Sequence, residues 1–166
     1  MVHDFAPKVD EVQADIKRFL LSPKRWRASR VKFPINWERI PFTEANRVKI
    51  PKKPGIYAFI VQHINDHFPG HGFIMYIGIT GTNTKGNRTL YVRYGDYLRE
   101  QKKFKRPKVH YMLTKYPNDI HFAYSEIDPA AVDLAQLELD LNDAIIPPVV
   151  VKDFTAEIRA IVKALA

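Results

Sequence analysis

Two short apolar runs in the first half of the chain predict two neighbouring β-strands. The first spans Pro54–Val61 and the second Gly72–Ile79, and both combine β-branched and aromatic residues, as strands commonly do. The segment between them, Gln62–His71, is rich in Asn, Asp, Pro and Gly and is typical of a loop. We therefore expect a β-hairpin.

Helical periodicity follows the second strand. A polar loop over Thr80–Arg88 precedes a predicted helix over Thr89–Glu100. At about 100° per residue, one face of this helix combines apolar, aromatic and basic side chains. That face carries Leu90, Arg93, Tyr94 and Tyr97.

A longer helix is predicted over Asp128–Ile146. Asp128 as N-cap and Pro129 at the first helical position are start signals. Pro147 is a stop signal, because the residue before a proline is displaced from the helical region. The inward stripe consists of Leu134, Leu137, Leu141 and Ile145. Glu138 falls within this stripe, so we expect it to be the one carboxylate that the helix directs at the core.

The remaining periodicity predicts five flanking segments. Before the hairpin come an N-terminal helix that packs on the domain (Val9–Leu21) and an irregular segment (Pro23–Lys53). After the first helix of the core come a helix (Pro107–Tyr116), a third strand with one solvent-exposed face (Asp119–Ile127) and a C-terminal helix (Phe154–Leu165). The predicted fold class is α/β (α+β), with a small three-stranded antiparallel sheet flanked by helices. The domains are an N-terminal helix and basic, proline-containing arm (1–53), a core (54–150) and a C-terminal helix packed on the core (151–166).

Composition restricts the function classes. The 166 residues contain no cysteine, which excludes disulfides, zinc–thiolate sites and thiol catalysis. No apolar run approaches the roughly 20 residues that span a bilayer, so we expect no membrane partner. The segment Met1–Phe5 lacks the basic-then-apolar layout of a secretory signal, and we expect a cytoplasmic protein.

The net charge of +8 favours a polyanionic partner. Basic residues cluster over Lys24–Lys32 and Lys102–Lys108, and each cluster includes an aromatic residue, a composition that suits phosphate contact and base stacking. A solvated basic face is the alternative. The candidate nucleic-acid-binding residues are Lys24, Arg25, Arg27, Arg30, Arg88, Lys102, Lys103, Lys105, Arg106 and Lys108.

Five side chains are candidates for chemistry. The hairpin places Tyr57, in Gly55-Ile56-Tyr57, beside Tyr76, in Tyr76-Ile77-Gly78. Arg93 on a largely apolar helix face is costly unless it meets an anion, and Tyr97, four residues on, lies beside it. Glu138 is the fifth.

These residues, in this order, resemble the GIY-YIG nuclease family over about Pro54 to Pro148. The resemblance implies a metal-dependent endonuclease that hydrolyses duplex or branched DNA. It further implies that Glu138 holds Mg²⁺ (or Mn²⁺), that Arg93 binds phosphate, and that a tyrosine is the general base. We assign that role to Tyr57, provided its pKa is lowered, with Tyr97 as relay and Tyr76 orienting water or phosphate.

Other interpretations remain open at this point. Tyr57 and Tyr76 could be ordinary strand aromatics, and Arg93 with Glu138 could form a buried structural ion pair. The family commonly has an asparagine after the helix-ending proline, but the segment Pro147–Asp153 of this chain contains none. We predict that Asp153 caps the last helix and does not replace that asparagine. The chain could therefore be a weakly active or inactive nucleic-acid-binding module of the same fold, or a nuclease subunit that a protein partner targets.

Two further patterns are rejected. His63, His67 and His71 recur every four residues, but Pro69-Gly70 is incompatible with a helix, so we interpret them as loop residues rather than metal ligands. The glycines of Gly81–Gly86 lack the Gly-Lys-Ser/Thr of a phosphate-binding loop.

Overall fold

A computed structural model describes residues 5–65, 67, 69–81 and 88–165 of the chain. The helices are α1 (Ala6–Asp15), α2 (Pro23–Arg27), α3 (Leu90–Lys103), α4 (Pro107–Lys115), α5 (Leu134–Ile145) and α6 (Ala156–Leu165). The strands are β1 (Glu38–Pro41), β2 (Gly55–Val61), β3 (Phe73–Thr80) and β4 (Ile120–Glu126), and a 3₁₀ turn spans Ala45–Lys49. The interior of the Thr80–Arg88 loop, including most of Gly81–Gly86, lies outside the described residues, as do two positions of the Gln62–His71 loop.

The four strands form one antiparallel sheet in the order β1-β4-β2-β3. The predicted hairpin is confirmed, because β2 and β3 are antiparallel neighbours. The predicted number of three strands is wrong, since β1 pairs with β4 along one edge of the sheet. Pro23–Lys53 is likewise not irregular throughout: it contains α2, β1 and the 3₁₀ turn, and it adds Phe42 and Ile50 to the core.

Two apolar clusters cover the two faces of the sheet. Alternate side chains of β2 point to opposite faces, so Tyr57 and Phe59 pack with α3 and α4 in the larger cluster. Ile56 and Ala58 pack with α5 in the smaller one. β4 lies between two strands and beneath helices on both sides, and its residues from Ile120 to Ser125 are buried. The predicted solvent-exposed face of β4 is therefore wrong.

Several helix boundaries differ from the sequence prediction, most of all those of α5 and α1. The helix that carries Glu138 begins at Leu134, and its N-cap is Asp133, which accepts a hydrogen bond from the N–H of Gln136 over 3.1 Å. Asp128, the predicted cap, instead accepts from the N–H of Ala130 in a preceding turn. At the N-terminus, α1 ends at Asp15 and buries no residue, so the predicted packing of this helix is wrong.

Helix ends position the later part of the chain. α3 begins at the N-cap Thr89 and ends at Phe104, whose left-handed φ of 44° stops the helix. α5 ends in the same way at Ile146, with φ 51°, and the two prolines that follow turn the chain back along the edge of the sheet. There the N–H of Val149 donates to the carbonyl of Met75 on the edge strand β3 over 3.0 Å. No helix among the described residues is long and apolar enough to cross a membrane.

Candidate active site

Three tyrosines and one arginine lie together where α3 packs on the β2–β3 hairpin. The rings of Tyr57 and Tyr76 are nearly parallel, with centroids 6.2 Å apart, and the ring of Tyr97 lies 5.7 Å from Tyr57 and 6.1 Å from Tyr76. The hydroxyls of Tyr57 and Tyr97 are within hydrogen-bond distance, 2.9 Å. Nε of Arg93 donates to the Tyr57 hydroxyl over 2.9 Å. The helix face predicted from periodicity thus meets the hairpin.

Gly78 makes room for this arrangement. It pairs with Tyr57 across the hairpin, and a Cβ atom added to it would lie 2.6 Å from Cζ of Tyr57. Any larger residue at this position would therefore displace the Tyr57 ring. Gly78 of Tyr76-Ile77-Gly78 thus leaves the space over β3 that the ring of Tyr57 occupies.

Burial changes the role that Tyr57 can have. Tyr57 has no exposed surface, and this burial, reinforced by Tyr97 and Tyr76, raises its pKa well above the usual value despite the opposing charge of Arg93. The condition set for a general base, a lowered pKa, is not met. Burial also raises the pKa of Tyr76, although Tyr76 does reach the surface of a pocket.

That pocket has a volume of about 1070 Å³ and opens beside the edge strand β3. Because β3 is the last strand, α3 on one face of the sheet and α5 on the other can both reach it. Tyr76 and Arg93 line it from the first side and Glu138 from the second. Glu138 is therefore partly buried at the pocket, and the prediction that it is directed at the apolar core is wrong.

The pocket carries an excess of positive charge. Six basic and two acidic side chains line it. The basic residues are Arg88, Arg93, Lys105, Arg106, Lys108 and Lys152, and the acidic residues are Glu138 and Asp153. Such a surface attracts an anionic ligand, and the two acids share the pocket with the six basic side chains.

The charge of Asp153 acts on the carboxyl group of Glu138. Burial raises the pKa of Glu138 to about 7, and the charge of Asp153 contributes in the same direction, against a backbone hydrogen bond from Ile79 and the charge of Arg93. The prediction that Asp153 caps the last helix is not supported. α6 begins two residues after Phe154, the N–H of Thr155 donates to Asp143 over 3.0 Å, and Asp153 lines the pocket.

The donor atoms of this pair suit a hard cation. Among the described residues, no group of three or more His, Asp or Glu side chains is arranged to hold a metal ion. Two carboxylates in one pocket nevertheless have the oxygen donors that Mg²⁺ or Mn²⁺ prefers, and such ions keep several water ligands. The described ion pairs join Arg93 to Asp96, at 3.8 Å, and not to Glu138, so the interpretation as a structural Arg93–Glu138 pair is wrong.

The two basic clusters separate in space. From the second cluster Lys105, Arg106 and Lys108 line the pocket together with Arg88, whereas Lys102 lies 3.8 Å from Glu44 and Lys103 is exposed. From the first cluster Arg25 and Arg30 lie beside Asp140 and Asp143 of α5 in a different, smaller depression. Lys24 and Arg27, on the short helix α2, are exposed and line neither pocket.

Sequence reasoning missed Lys152 and the position of Asp153. The signal available was weak: both follow the two prolines that end α5, in a segment with no periodicity. No protein-family model matches the chain, and no curated protein or solved structure is similar enough to match it. The resemblance to GIY-YIG nucleases therefore stays a prediction based on the residues and their spacing.

Proposed function

We propose that the chain is a metal-dependent endonuclease that hydrolyses DNA phosphodiester bonds. One observation carries the proposal: an arginine, a tyrosine and two carboxylates line a single pocket together with five further basic side chains. Hydrolysis of a phosphodiester needs charge neutralisation at the phosphate, an oriented water molecule and an acceptor for its proton. The pocket offers a group for each need.

Arg93 binds the scissile phosphate. Its planar guanidinium suits phosphate oxygens, and its orientation is fixed because Nε donates to the buried Tyr57 hydroxyl. Tyr57 and Tyr97 therefore position the arginine. Tyr76, which reaches the pocket, orients the attacking water or a phosphate oxygen.

The two carboxylates serve metal binding and proton transfer. Glu138 and Asp153 are the residues that would hold the metal ion, which would offset negative charge at the phosphate and the leaving oxygen. A phenol whose pKa is raised stays protonated near neutral pH, so neither Tyr57 nor Tyr76 can take the proton of the attacking water. A carboxylate oxygen of Asp153 accepts it.

Cleavage of supercoiled plasmid tests this function. We expect nicked and linear products with Mg²⁺ or Mn²⁺ and none with EDTA. Glu138→Gln should abolish cleavage, while Asp140→Asn on the same helix should cut normally, because Asp140 bonds to Gln136 and lies outside the pocket. Equal activity of both variants would refute the assignment.

One observation favours a second function. Among the described residues, no group of three or more His, Asp or Glu side chains is arranged to hold a metal ion, which also suits a nucleic-acid-binding module that has no catalysis. Metal-loaded protein that binds DNA, shows the salt dependence of phosphate contacts and never cuts would establish that function instead.

A further inference from the structure

One buried carboxylate holds the connection between α3 and α4. Glu100 is 6% exposed, and its Oε1 accepts hydrogen bonds from the backbone N–H groups of Lys105, over 2.8 Å, and Arg106, over 2.6 Å. Nε of Arg106 lies 3.5 Å from Oε2. A carboxylate buried in this way costs free energy unless it is fully paired, so a residue it pairs with is held firmly.

The residue that Glu100 holds faces the pocket. The guanidinium of Arg106 lies over the Tyr97 ring, 4.7 Å from its centroid, and the guanidinium of Arg93 lies 5.8 Å from the same centroid. Both arginines line the pocket. An arginine has five N–H donors, so the contacts of Arg106 with Glu100 and Tyr97 leave donors for a ligand.

We propose that Arg106 is a second phosphate-binding residue of this site and binds the phosphate next to the one bound by Arg93. Glu100 is the positioning residue that holds Arg106 in place. The inference rests on the proposed function and extends it from one phosphate to two successive phosphates of a strand. The hydrogen bonds support the division between the arginines. Nε of Arg93 donates to the Tyr57 hydroxyl, whereas Nε of Arg106 lies 3.5 Å from Oε2 of Glu100, so each guanidinium is held by its own partner.

Binding without cleavage is the first test. In EDTA, the affinity for a short fluorescein-labelled DNA duplex is measured over a series of salt concentrations. Each phosphate contact contributes about 0.9 to the log–log slope, so Arg106→Gln should reduce the slope by about that amount and Arg106→Lys by less than half of it. The matched control is Arg39→Gln, on the opposite edge of the sheet, which should keep the wild-type slope.

Steady-state cleavage is the second test. An arginine that binds a neighbouring phosphate stabilises ground and transition states equally, so its loss raises KM and leaves kcat unchanged. We expect Arg106→Gln to raise KM about tenfold or more with kcat within about twofold. Glu100→Gln keeps an oxygen for the two backbone N–H groups but loses the charge that holds Arg106, so it should raise KM less.

The outcomes separate this inference from the proposed function. If wild type does not cut DNA, the proposed function fails, but the salt slope of Arg106→Gln still decides whether Arg106 binds phosphate. A wild-type slope in Arg106→Gln, with an unchanged melting temperature, would overturn the inference and leave Arg106 as the structural partner of Glu100. A fall in kcat without a rise in KM would overturn it as well.

Discussion

The hydroxyl groups of Tyr57 and Tyr97 lie 2.9 Å apart inside the core, and Nε of Arg93 donates to the Tyr57 hydroxyl over the same distance. The two phenols and the guanidinium therefore form one hydrogen-bonded unit that ends at the pocket, where Arg93 is partly exposed. A unit of this kind holds a charged group in one orientation before a ligand arrives, which is how a preorganised site lowers the cost of binding and catalysis.

The first prediction concerns Tyr57→Phe. The change removes the acceptor for Arg93 and a partner of Tyr97, so we expect a loss of roughly 1 to 3 kcal/mol in the free energy of unfolding. We also expect a reduced kcat, because the arginine loses its fixed orientation. Chemical denaturation and single-turnover cleavage measure the two effects.

The pH profile distinguishes positioning from proton transfer at Tyr57. Since the pKa of Tyr57 is raised by burial, its hydroxyl does not ionise in the working range, and Tyr57→Phe should lower the rate without moving either limb of the profile. If the variant loses the limb on which the rate rises with pH, Tyr57 is the general base after all. Tyr76→Phe, which removes a hydroxyl at the pocket itself, is the comparison.

The second prediction concerns the stability of the metal-free protein. The folded pKa of Glu138 is about 7, against 4.5 for the free group. Between these values the Glu138 carboxyl holds a proton in the folded state that it has lost in the unfolded state. The free energy of unfolding is therefore unaffected by this group below about pH 4.5 and declines as the pH rises through 7. In EDTA at pH 8, Glu138→Gln should be more stable than wild type by on the order of 2 kcal/mol, a figure reduced to allow for partial exposure.

Chemical denaturation at pH 5 and pH 8 provides the measurement. The difference between variant and wild type should be small at pH 5 and large at pH 8, and Asp140→Asn should show no such dependence. A constant difference at both values would mean that the Glu138 carboxylate titrates normally.

The sequence predicted those elements that form because of their local residue pattern, and it missed those that form because they pair with a distant part of the chain. The hairpin and α3 follow from local pattern, and they bring Tyr57, Arg93 and Tyr97 together. β1 does not, because Glu38–Pro41 has no alternation of buried and exposed residues. It becomes a strand by pairing with β4, where the N–H of Phe42 continues the contact by donating to the carbonyl of Ile120 over 2.9 Å.

The start of α5 shows a conflict between two local signals. Both Asp128 and Asp133 can cap a helix, and Pro129 favours the earlier start. In the structure Asp128 closes a turn instead, since its carbonyl accepts from the N–H groups of Ala131 and Val132. The stripe of Leu134 and Leu137 then begins directly after Asp133 and packs on the sheet, so burial decides in favour of the later cap.

The pocket itself could be predicted only in part. Periodicity assigns Arg93 to a helix face, but the approach of Glu138 depends on α3 and α5 both reaching the edge strand. The approach of Asp153 depends on the hydrogen bond from Val149 to Met75, which leads the segment after α5 past β3. Contacts of this kind join residues far apart in sequence, and no local pattern encodes them.

The third prediction compares the contributions of two pairs of basic residues to DNA binding. Lys105→Gln together with Lys108→Gln should lower the salt slope of DNA binding by about 1.8, because each lysine lines the pocket and each phosphate contact contributes about 0.9. Lys24→Gln with Arg27→Gln should lower it less, since these residues lie outside that pocket. A larger effect of the second pair would place the main DNA-binding surface on α2.

The fourth prediction concerns Asp153 and tests two consequences of its place in the pocket. The charge of Asp153 helps to raise the pKa of Glu138, so Asp153→Asn should lower that pKa in the metal-free protein. A ¹³C NMR titration of the glutamate carboxyl carbons measures it, and Asp140→Asn is the control that should leave it in place.

Catalysis responds to the same substitution if Asp153 accepts the proton of the attacking water. Removal of a general base costs on the order of 10² to 10⁴ in rate, so Asp153→Asn should reduce kcat by that range. DNA affinity should stay the same or increase, because a negative charge is removed from a basic pocket. Asparagine keeps an oxygen that can bind a metal ion but cannot take a proton at neutral pH. If Asp153→Asn shifts the Glu138 titration and still cuts at the wild-type rate, Asp153 is an electrostatic neighbour of Glu138 and another group accepts the proton.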